Sequence, residues 1–150
     1  MNRREVLGAL GATAVGLAAV TGGKVYADEK GGGGEHDEMA KKCAKSCSDC
    51  ANDCNAGFHH CHQQLAAGKK EYAMAAHLCC DTAEVCSCTA ACCARMSPLM
   101  AICCDCCAKC CDACIKECEK LDDPELKKVV EACRKAAKSC REMVTAMGGK

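Results

Sequence analysis

Eight of the sixteen residues from Cys103 to Cys118 are cysteine, and the whole chain carries 21 cysteines among 150 residues. A cysteine thiolate can act as a nucleophile, form a disulfide or bind a soft metal ion. Small chains with more than about 8–10% cysteine are usually disulfide scaffolds. Because an odd number of thiols cannot pair completely, the spacing of the cysteines has to decide among these chemistries.

Pairs of cysteines four residues apart recur along the chain. They are Cys43/Cys47, Cys50/Cys54, Cys88/Cys92, Cys103/Cys107, Cys106/Cys110, Cys107/Cys111, Cys110/Cys114 and Cys114/Cys118. On a helix the Cβ atoms of such a pair lie about 5–6 Å apart, whereas a disulfide needs about 3.5–4.5 Å. Disulfides within one helix are therefore disfavoured, and disulfides between helices remain an alternative.

The same spacing suits a soft metal ion of low coordination number, because a metal inserted between two sulfur atoms lengthens the bridge. Cu(I) selects thiolates, while a structural zinc ion needs four ligands in a tetrahedral set. Packing of cysteine as a small hydrophobe suits an isolated Cys133 or Cys140 but not eight thiols in sixteen residues. The spacing therefore favours Cu(I) over zinc.

An iron–sulfur cluster is a further alternative. The series Cys104, Cys107, Cys110 and Cys114 matches the C-x2-C-x2-C-x3-C run of bacterial ferredoxins. However, Ile115 rather than proline follows it, a cysteine-rich helix satisfies many spacings by chance, and cluster-binding runs are generally loops.

Glycine and proline divide the chain into four segments whose composition predicts helices. The segments are 38–67, 69–96, 98–121 and 124–147. Pro98 and Pro124 fall in first helical turns, where proline is tolerated, and Ser97 and Asp123 precede them as predicted N-caps. Short loops make successive helices antiparallel neighbours. The expected fold is all-α, an antiparallel up-down four-helix bundle with a cysteine-lined core.

Helical periodicity brings most cysteines to the inward faces of these helices. The first helix presents Cys43, Cys47, Cys50, Cys54 and Cys61; the second presents Cys79, Cys86 and Cys93, with Cys80 and Cys92 to either side; the third presents Cys103, Cys107, Cys110, Cys114 and Cys118, flanked by Cys104, Cys106 and Cys111; the fourth presents Cys133 and Cys140. These cysteines and His60 are the candidate metal ligands. Cys88 points away from the centre and is left undecided.

The two ends of the predicted bundle differ in chemistry. One end gathers His59, His60, Cys61, His62, Met74 and His77 among small residues; the other gathers Met39, Met96, Leu99, Met100, Ile102, Met143, Val144 and Met147. Methionine beside leucine, isoleucine and valine usually fills a core, so we expect an apolar plug there, with a thioether port as the alternative. The small residues at the histidine end leave room for an ion to pass, so we expect metal to enter there, with solvated surface histidines as the alternative.

The N-terminal segment looks like a twin-arginine export signal. Arg3 and Arg4 precede an apolar run that ends at the small-x-small pattern Val25-Tyr26-Ala27. A membrane anchor is the alternative, but the run is glycine-rich and shorter than the roughly 20 residues that a spanning helix needs. We predict a cleaved signal at 1–27, a flexible linker at 28–37, a bundle domain at 38–147, and a periplasmic or otherwise exported protein.

Composition excludes several classes of function. The formal net charge is zero, and no basic footprint for nucleic acid is present. The chain has no tryptophan, one phenylalanine and two tyrosines, so its core cannot rest on aromatic packing. The inward faces offer hardly any carboxylate or histidine beside the thiols. We therefore expect no catalytic constellation and no enzyme activity.

The C-x-x-x-C pairs on the first and third helices, the "MSPLM" connection at 96–100 and the leader resemble the copper storage protein family, cysteine-rich four-helix bundles that bind copper. The resemblance covers about 39–147 and implies an interior filled with many Cu(I) ions on cysteine thiolates. Family members with a twin-arginine leader work outside the cytosol, and their store is thought to supply copper enzymes. This chain departs from the family in its cysteine doublets on the third helix, of which only one member can fully face the centre.

The resemblance implies storage or sequestration of Cu(I), with copper-requiring enzymes or chaperones as candidate recipients. A homo-oligomer is compatible with the sequence, whereas nucleic acid and, once the signal is removed, a membrane are not expected partners. The alternatives are a disulfide-stapled or iron–sulfur helical protein and a copper chaperone of low stoichiometry, which would need only one or two thiols near its surface. Detoxification differs from storage only in physiology.

Overall fold

The computed structural model describes residues 33–148, which form four α-helices. They are α1 (Gly33–Ala66), α2 (Ala73–Ala94), α3 (Met100–Cys118) and α4 (Pro124–Ala146), with single 3-10 turns at Lys70–Tyr72 and Glu119–Leu121. Helix α1 packs against α2 and α4, and α3 packs against the same two helices. Because the connections are short, successive helices run antiparallel. The predicted all-α up-down bundle is confirmed.

The first helix is longer than predicted. It begins at Gly33, inside the segment 28–37 that the sequence predicts as a linker. Once a helix has formed, each added residue gains a hydrogen bond at little further cost, and the ion pair from Lys41 Nζ to Asp37 Oδ2 at 2.7 Å supports the first turns. The predicted signal at 1–27 lies outside the described residues.

Gly68 ends α1 through its backbone conformation. Its φ is +86°, a left-handed value that glycine adopts without steric cost. The amide of Lys69 donates to the carbonyl of Gln64 at 3.0 Å, and the amide of Gly68 donates to that of Leu65 at 2.9 Å. These two bonds are those of a Schellman motif. The chain is thereby turned towards α2, as the sequence predicts.

The same motif ends α2, with a methionine at the left-handed position. Met96 has φ +49°, and the amide of Ser97 donates to the carbonyl of Cys92 at 3.0 Å. A turn at Pro98 and Leu99 separates Ser97 from the first residue of α3. Its Oγ accepts from the amide of Leu99 at 3.2 Å, and α3 begins at Met100. The predicted start at Pro98 with Ser97 as N-cap is therefore wrong.

Asp123 caps α4 and also joins three parts of the bundle. Its carboxylate accepts from the amides of Glu125 at 2.8 Å and Leu126 at 3.3 Å, as the N-cap prediction requires. Its Oδ2 also lies 2.8 Å from His60 Nε2 and accepts from the Tyr72 hydroxyl at 2.9 Å. The start of α4 is thus tied to α1 and to the turn before α2.

The core is built from small side chains. Besides the thiols it contains mostly alanine, and among the largest fully buried side chains are Leu126, Val129 and Met143 of α4. Gly57 marks where α1 and α4 approach most tightly, because a Cβ atom added there would lie 2.5 Å from Val129 Cγ2. The absence of that one carbon lets the two helices pack at this level.

The apolar end of the bundle is closed by fewer residues than predicted. Met100 and Met143 are buried, and Met39 and Val144 pack partly against the core. The remaining members are exposed: Met96, Leu99, Ile102 and Met147. No helix within residues 33–148 is long and apolar enough to span a membrane.

Replacing Gly57 with alanine should destabilise the metal-free protein by about 1 kcal/mol, because overpacking against the stiff Val129 side chain outweighs the gain in helix propensity. Chemical denaturation measures the change. Gly34→Ala is the matched control, since nothing lies within 4 Å of a Cβ atom there. If Gly57→Ala destabilises a Val129→Ala background less than it destabilises the wild type, the contact with Val129 is the cause. Equal destabilisation in the two backgrounds would contradict the overpacking explanation.

Asp123→Ala should lower the free energy of unfolding by about 1–2 kcal/mol through loss of the cap. Burial alone would raise the pKa of Asp123, but hydrogen bonds from His60, Tyr72 and the two backbone amides outweigh it and lower that pKa. The contribution of a carboxylate with a lowered pKa is complete above its ordinary value of 3.8 and is lost as the pH falls through the lower folded value.

The difference between wild type and Asp123→Ala should therefore stay constant from neutral pH down to about 4 and shrink below it. Denaturation at a series of pH values measures this difference. Asp122→Asn is the control, because Asp122 is exposed and pairs only with Lys127 among the described ion pairs. An equal loss of stability in both variants would show that the cap contributes nothing specific.

Candidate metal centre

Sixteen of the 21 cysteines are buried, and fifteen of these lie in one continuous core. We call these fifteen the core thiols. They are Cys43, Cys47, Cys50, Cys54, Cys61, Cys79, Cys86, Cys93, Cys104, Cys107, Cys111, Cys114, Cys118, Cys133 and Cys140. The predicted inward positions on α1 and α4 are all found there, as are the three that the sequence places inward on α2.

On α3 the predicted inward face is rotated from the observed one. The buried thiols are Cys104, Cys107, Cys111, Cys114 and Cys118. Cys103 and Cys110, predicted to face inward, are only half-buried, and Cys106 is exposed. Thr82 Oγ1 donates to the carbonyl of Cys110 at 3.4 Å. Thr89 Oγ1 donates to the carbonyl of Val85 at 2.8 Å and also lies 3.2 Å from that of Cys103. Because α2 approaches α3 along this edge, the adjacent thiols turn aside.

The core thiols form groups of three whose sulfur atoms all lie within 4.8 Å of one another. Among these triads are Cys43/Cys104/Cys140, Cys47/Cys107/Cys140, Cys50/Cys86/Cys111, Cys50/Cys54/Cys133 and Cys79/Cys114/Cys118. Two triads share Cys140 and two share Cys50. A distance of 3.5 Å between the sulfur atoms of Cys86 and Cys107 joins one group to the next. The thiols therefore form a connected network along the bundle.

Most of the short sulfur–sulfur distances join two helices. Cys47 and Cys140 are 3.5 Å apart and Cys50 and Cys133 are 3.7 Å apart, while the pair Cys50/Cys54 within α1 is 3.9 Å apart. Cysteine spacing along the sequence reveals only the pairs within one helix, because cysteines that meet across the bundle are far apart in the chain. Which thiols meet across the bundle depends on how the four helices are rotated.

These distances suit a bridging metal better than a covalent bond. Neighbouring sulfur atoms such as those of Cys43 and Cys104 lie 3.8 Å apart and are not bonded to each other, since a disulfide has a sulfur–sulfur distance of about 2.05 Å. Three sulfur atoms around one ion at metal–sulfur distances of about 2.3 Å, the value for zinc, would be separated by about 4.0 Å. The triads therefore have nearly the spacing of a trigonal thiolate site.

The ferredoxin-like run does not converge on one point. Cys104, Cys107 and Cys114 belong to the core, but Cys110 is only half-buried and lies outside it. All four lie on the single helix α3, so they extend along its length instead of enclosing a cluster. The geometry disfavours the iron–sulfur alternative.

In the absence of metal, thiol neighbours and burial raise the pKa of several core cysteines, whereas thiol neighbours lower the pKa of others such as Cys43 and Cys50. Contact with Cys114, together with burial, raises the pKa of Cys118 to about 12. Contacts with four thiols, led by those of Cys111 and Cys114, raise the pKa of Cys133 well above its ordinary value. Neutral thiols need no counter-charge inside a core. A metal that binds there must displace protons.

His60 has a different role from the predicted one. It is half-buried, and its Nε2 is 2.8 Å from Asp123 Oδ2, so one ring nitrogen is engaged at the cap of α4. At the same end of the bundle, His59 Nε2 is 3.1 Å from Gln63 Nε2, and Met74 is 56% exposed. The predicted cluster is thus divided between a structural contact and exposed side chains.

Six cysteines lie outside the core thiols. They are Cys80, Cys88, Cys92, Cys103, Cys106 and Cys110. Cys88 is exposed, as its position on α2 predicted. Cys92 is buried beside α3, with its sulfur 3.5 Å from that of Cys103, and Arg95 approaches the Cys92 sulfur to 3.8 Å. Sequence analysis missed Arg95, although its i,i+3 spacing from Cys92 was a usable signal.

Together, the fold and the buried thiols define a cysteine-lined helical bundle suited to soft metal ions. A sequence profile described as copper storage protein matches residues 35–145. The match spans more than half of the chain, and the chain belongs to the copper storage protein family. The predicted family and its function, storage of copper as Cu(I), are confirmed.

Solved structures agree with this assignment. Apo copper storage protein 3 from Bacillus subtilis is 30% identical, with 70% of this chain and 98% of that chain covered and a TM-score of 0.62. A protein from Nitrosospira multiformis is also 30% identical, with 73% and 98% covered and a TM-score of 0.65. A search of curated protein sequences gives no match.

A third structure corrects the predicted location. It is a cytosolic copper storage protein from Streptomyces lividans carrying five coppers, 26% identical, with 73% of this chain and 95% of that chain covered and a TM-score of 0.65. This relative contradicts the prediction of a periplasmic, exported protein, because the same bundle also serves inside the cytosol. Membership of the family therefore does not place a chain outside the cytosol.

Thiol alkylation should separate the two kinds of cysteine in the reduced, metal-free protein. Cys88 and Cys106 are exposed, whereas Cys79 and Cys133 are fully buried. We expect iodoacetamide to modify the first two rapidly and the core thiols only as fast as the bundle opens. Peptide mass spectrometry after short exposure measures this, and denatured protein is the control. Labelling of Cys133 as fast as Cys88 would contradict the described core.

Proposed function

We propose that the chain holds well over ten Cu(I) ions, approaching one for each core thiol. The observation that carries the proposal is the connected network of buried triads, in which sulfur atoms such as those of Cys47 and Cys140 lie as close as 3.5 Å. Two of the solved relatives are described as copper-bound, one of them with five coppers, which supports the same chemistry here.

Electrostatics favours bridging thiolates over separate sites. A Cu(I) ion held by two private thiolates carries a net charge of −1, and many such sites would leave uncompensated charges in the core. The buried polar and charged residues among those described are Thr82, Thr89 and Ser139, none of them cationic. If each thiolate bridges two ions, the ratio approaches one to one and the interior stays near neutrality.

In this proposal the fifteen core thiols are the storage ligands. Shared members of two triads, Cys50 and Cys140, have the positions that bridging requires. Cys80, Cys106 and Cys110, which the sequence also nominated, lie outside the network, and His60 serves the α4 cap. Enzyme activity has no support in this arrangement, and copper-requiring enzymes or chaperones would be the recipients of the stored metal.

Anaerobic Cu(I) titration of the reduced protein against a chromophoric competitor, followed by metal analysis, tests the proposal. We expect saturation well above ten ions per chain, approaching one per core thiol, with zinc unable to displace copper. Saturation at four or fewer ions would overturn storage and favour a chaperone of low stoichiometry. Tight binding of only a few zinc ions would instead indicate structural zinc sites.

Single variants locate the bound copper. Cys133→Ala removes a thiol whose sulfur lies 3.7 Å from those of both Cys50 and Cys54, and we expect capacity to fall by at least about one ion, as loss of a shared ligand requires. Cys80→Ala is the matched control, because this half-buried thiol lies outside the core and should leave the capacity of the core unchanged. Equal losses in the two variants would refute the assignment.

A further inference from the structure

Adjacent cysteine doublets place one thiol inside the bundle and one at its side. Cys92-Cys93 lies near the end of α2 and Cys103-Cys104 near the start of α3. The inner members, Cys93 and Cys104, belong to the core with sulfur atoms 3.7 Å apart. The outer members, Cys92 and Cys103, lie 3.5 Å apart in the groove between the two helices. Two thiol pairs are thus stacked across one helix–helix contact.

A third thiol and a cation accompany the outer pair. Cys88 lies one turn before Cys92 on α2 and is exposed. The Arg95 guanidinium approaches Cys92 Sγ to 3.8 Å. The described core, in contrast, contains no cationic side chain. The outer group therefore differs from the storage network in its adjacent charge and in the exposure of Cys88 and Cys103.

We propose that Cys92 and Cys103 form an outer Cu(I) site in the α2–α3 groove, beside the exposed Cys88, through which copper exchanges with the core. The inference rests on the proposed storage function for the core but concerns thiols outside it. It gives the doublets a role: the inner thiol stores copper and the outer thiol passes it on.

The charge at this site matches a low-coordinate copper ion. A Cu(I) ion on two thiolates has a net charge of −1, and Arg95 supplies the compensating positive charge beside Cys92. An arginine remains protonated under all relevant conditions. Because the site faces solvent at Cys88 and half-exposed Cys103, any residual charge is also hydrated. A single ion can therefore be held here without the bridging that the core requires.

The position also gives copper a short path to the store. Met100 and Met143 close the adjacent end of the bundle, so copper near this end reaches the core from the side, through the groove between α2 and α3. Cys104, which follows Cys103, continues into the core through Cys43 at 3.8 Å. Transfer inward breaks the bonds from copper to Cys92 and Cys103 and forms bonds to the two inner thiols.

This transfer is balanced without a redox step. The two inner thiols each release a proton as they bind copper, and the two outer thiolates each take up one as they lose it. Copper remains Cu(I) throughout. A ligand exchange of this kind needs only that the four sulfur atoms come within reach of the moving ion.

Partial unloading of the copper-saturated protein tests the outer site. A competing Cu(I) chelator is added anaerobically in steps, and free thiols are alkylated briefly and located by peptide mass spectrometry. We expect the first equivalent removed to expose Cys92 and Cys103 while Cys93 and Cys104 remain protected. The proposal is overturned if Cys92 and Cys103 in saturated protein react as fast as in metal-free protein, or if core thiols become reactive first.

Variants test exchange separately from storage. Cys92→Ser with Cys103→Ser should lower the capacity by about one ion and slow transfer to the chelator at least about tenfold, because the remaining copper must leave through opening of the core. Cys80→Ser with Cys106→Ser is the matched control, since it also removes one non-core thiol from each helix. Equal transfer rates in the two double variants would overturn the exchange role.

Arg95 provides a variant that leaves every thiol in place. Arg95→Gln should weaken the outer site by about twofold to fivefold, the range for a partly exposed charge pair, while Arg95→Lys retains it. No change with Arg95→Gln would remove the electrostatic part of the proposal. If the wild-type protein binds well over ten ions but none of these variants changes copper binding or transfer, the outer site alone is refuted. If the wild-type protein binds four or fewer ions, the storage function itself is refuted.

Discussion

Fifteen thiols share one core that contains no cation among its described residues. Both the folding of the bundle and its binding of metal depend on keeping these buried groups close to electrical neutrality. Protonated, a thiol is a small hydrophobe that packs without a partner. Deprotonated and without metal, the same groups would each cost several kcal/mol to bury. Copper resolves this conflict, because a thiolate shared between two Cu(I) ions is nearly neutral. The protonated thiols that allow the metal-free chain to fold are therefore the groups that receive the metal.

A thiol core is compact but gives little apolar burial per residue, so other features stabilise the bundle. Leu126, Val129 and Met143 make α4 the main source of large buried side chains, and Gly57 allows α1 to approach it. Asp123 fixes the start of the same helix through four hydrogen bonds. Most of the ion pairs lie on the exposed surface, where each contributes at most about 1 kcal/mol.

The helix contacts divide the cysteines by burial. Along α2 and α3 the doublets alternate between the core and the groove, and the difference between neighbours such as Cys103 and Cys104 is set by the rotation of one helix. The rotation brings the buried Thr82 and Thr89 of α2 next to the α3 carbonyls of Cys110 and Cys103. The proposed storage and exchange roles therefore belong to different thiols of a single short segment.

The sequence by itself determined the fold class, the number of helices, the inward thiols of α1 and α4 and the family. These follow from helical periodicity, from proline and glycine punctuation and from repeated cysteine spacing, all of which are local. It could not determine the rotation of α3, since an arc with Cys103 and Cys110 and one with Cys104 and Cys111 are both compatible with its polar face. Only the packing of α2 against α3 decided between them.

The tertiary structure also decided the partners of single groups. His60 was a reasonable ligand by type, but Asp123 comes within hydrogen-bond distance only when α4 folds beside α1. Likewise, Ser97 was a reasonable cap for α3, but a turn at Pro98 and Leu99 separates it from the first residue of that helix. Sequence spacing specifies which side chains share a face of one helix. Contacts between helices depend on distances across the bundle, which no local pattern contains.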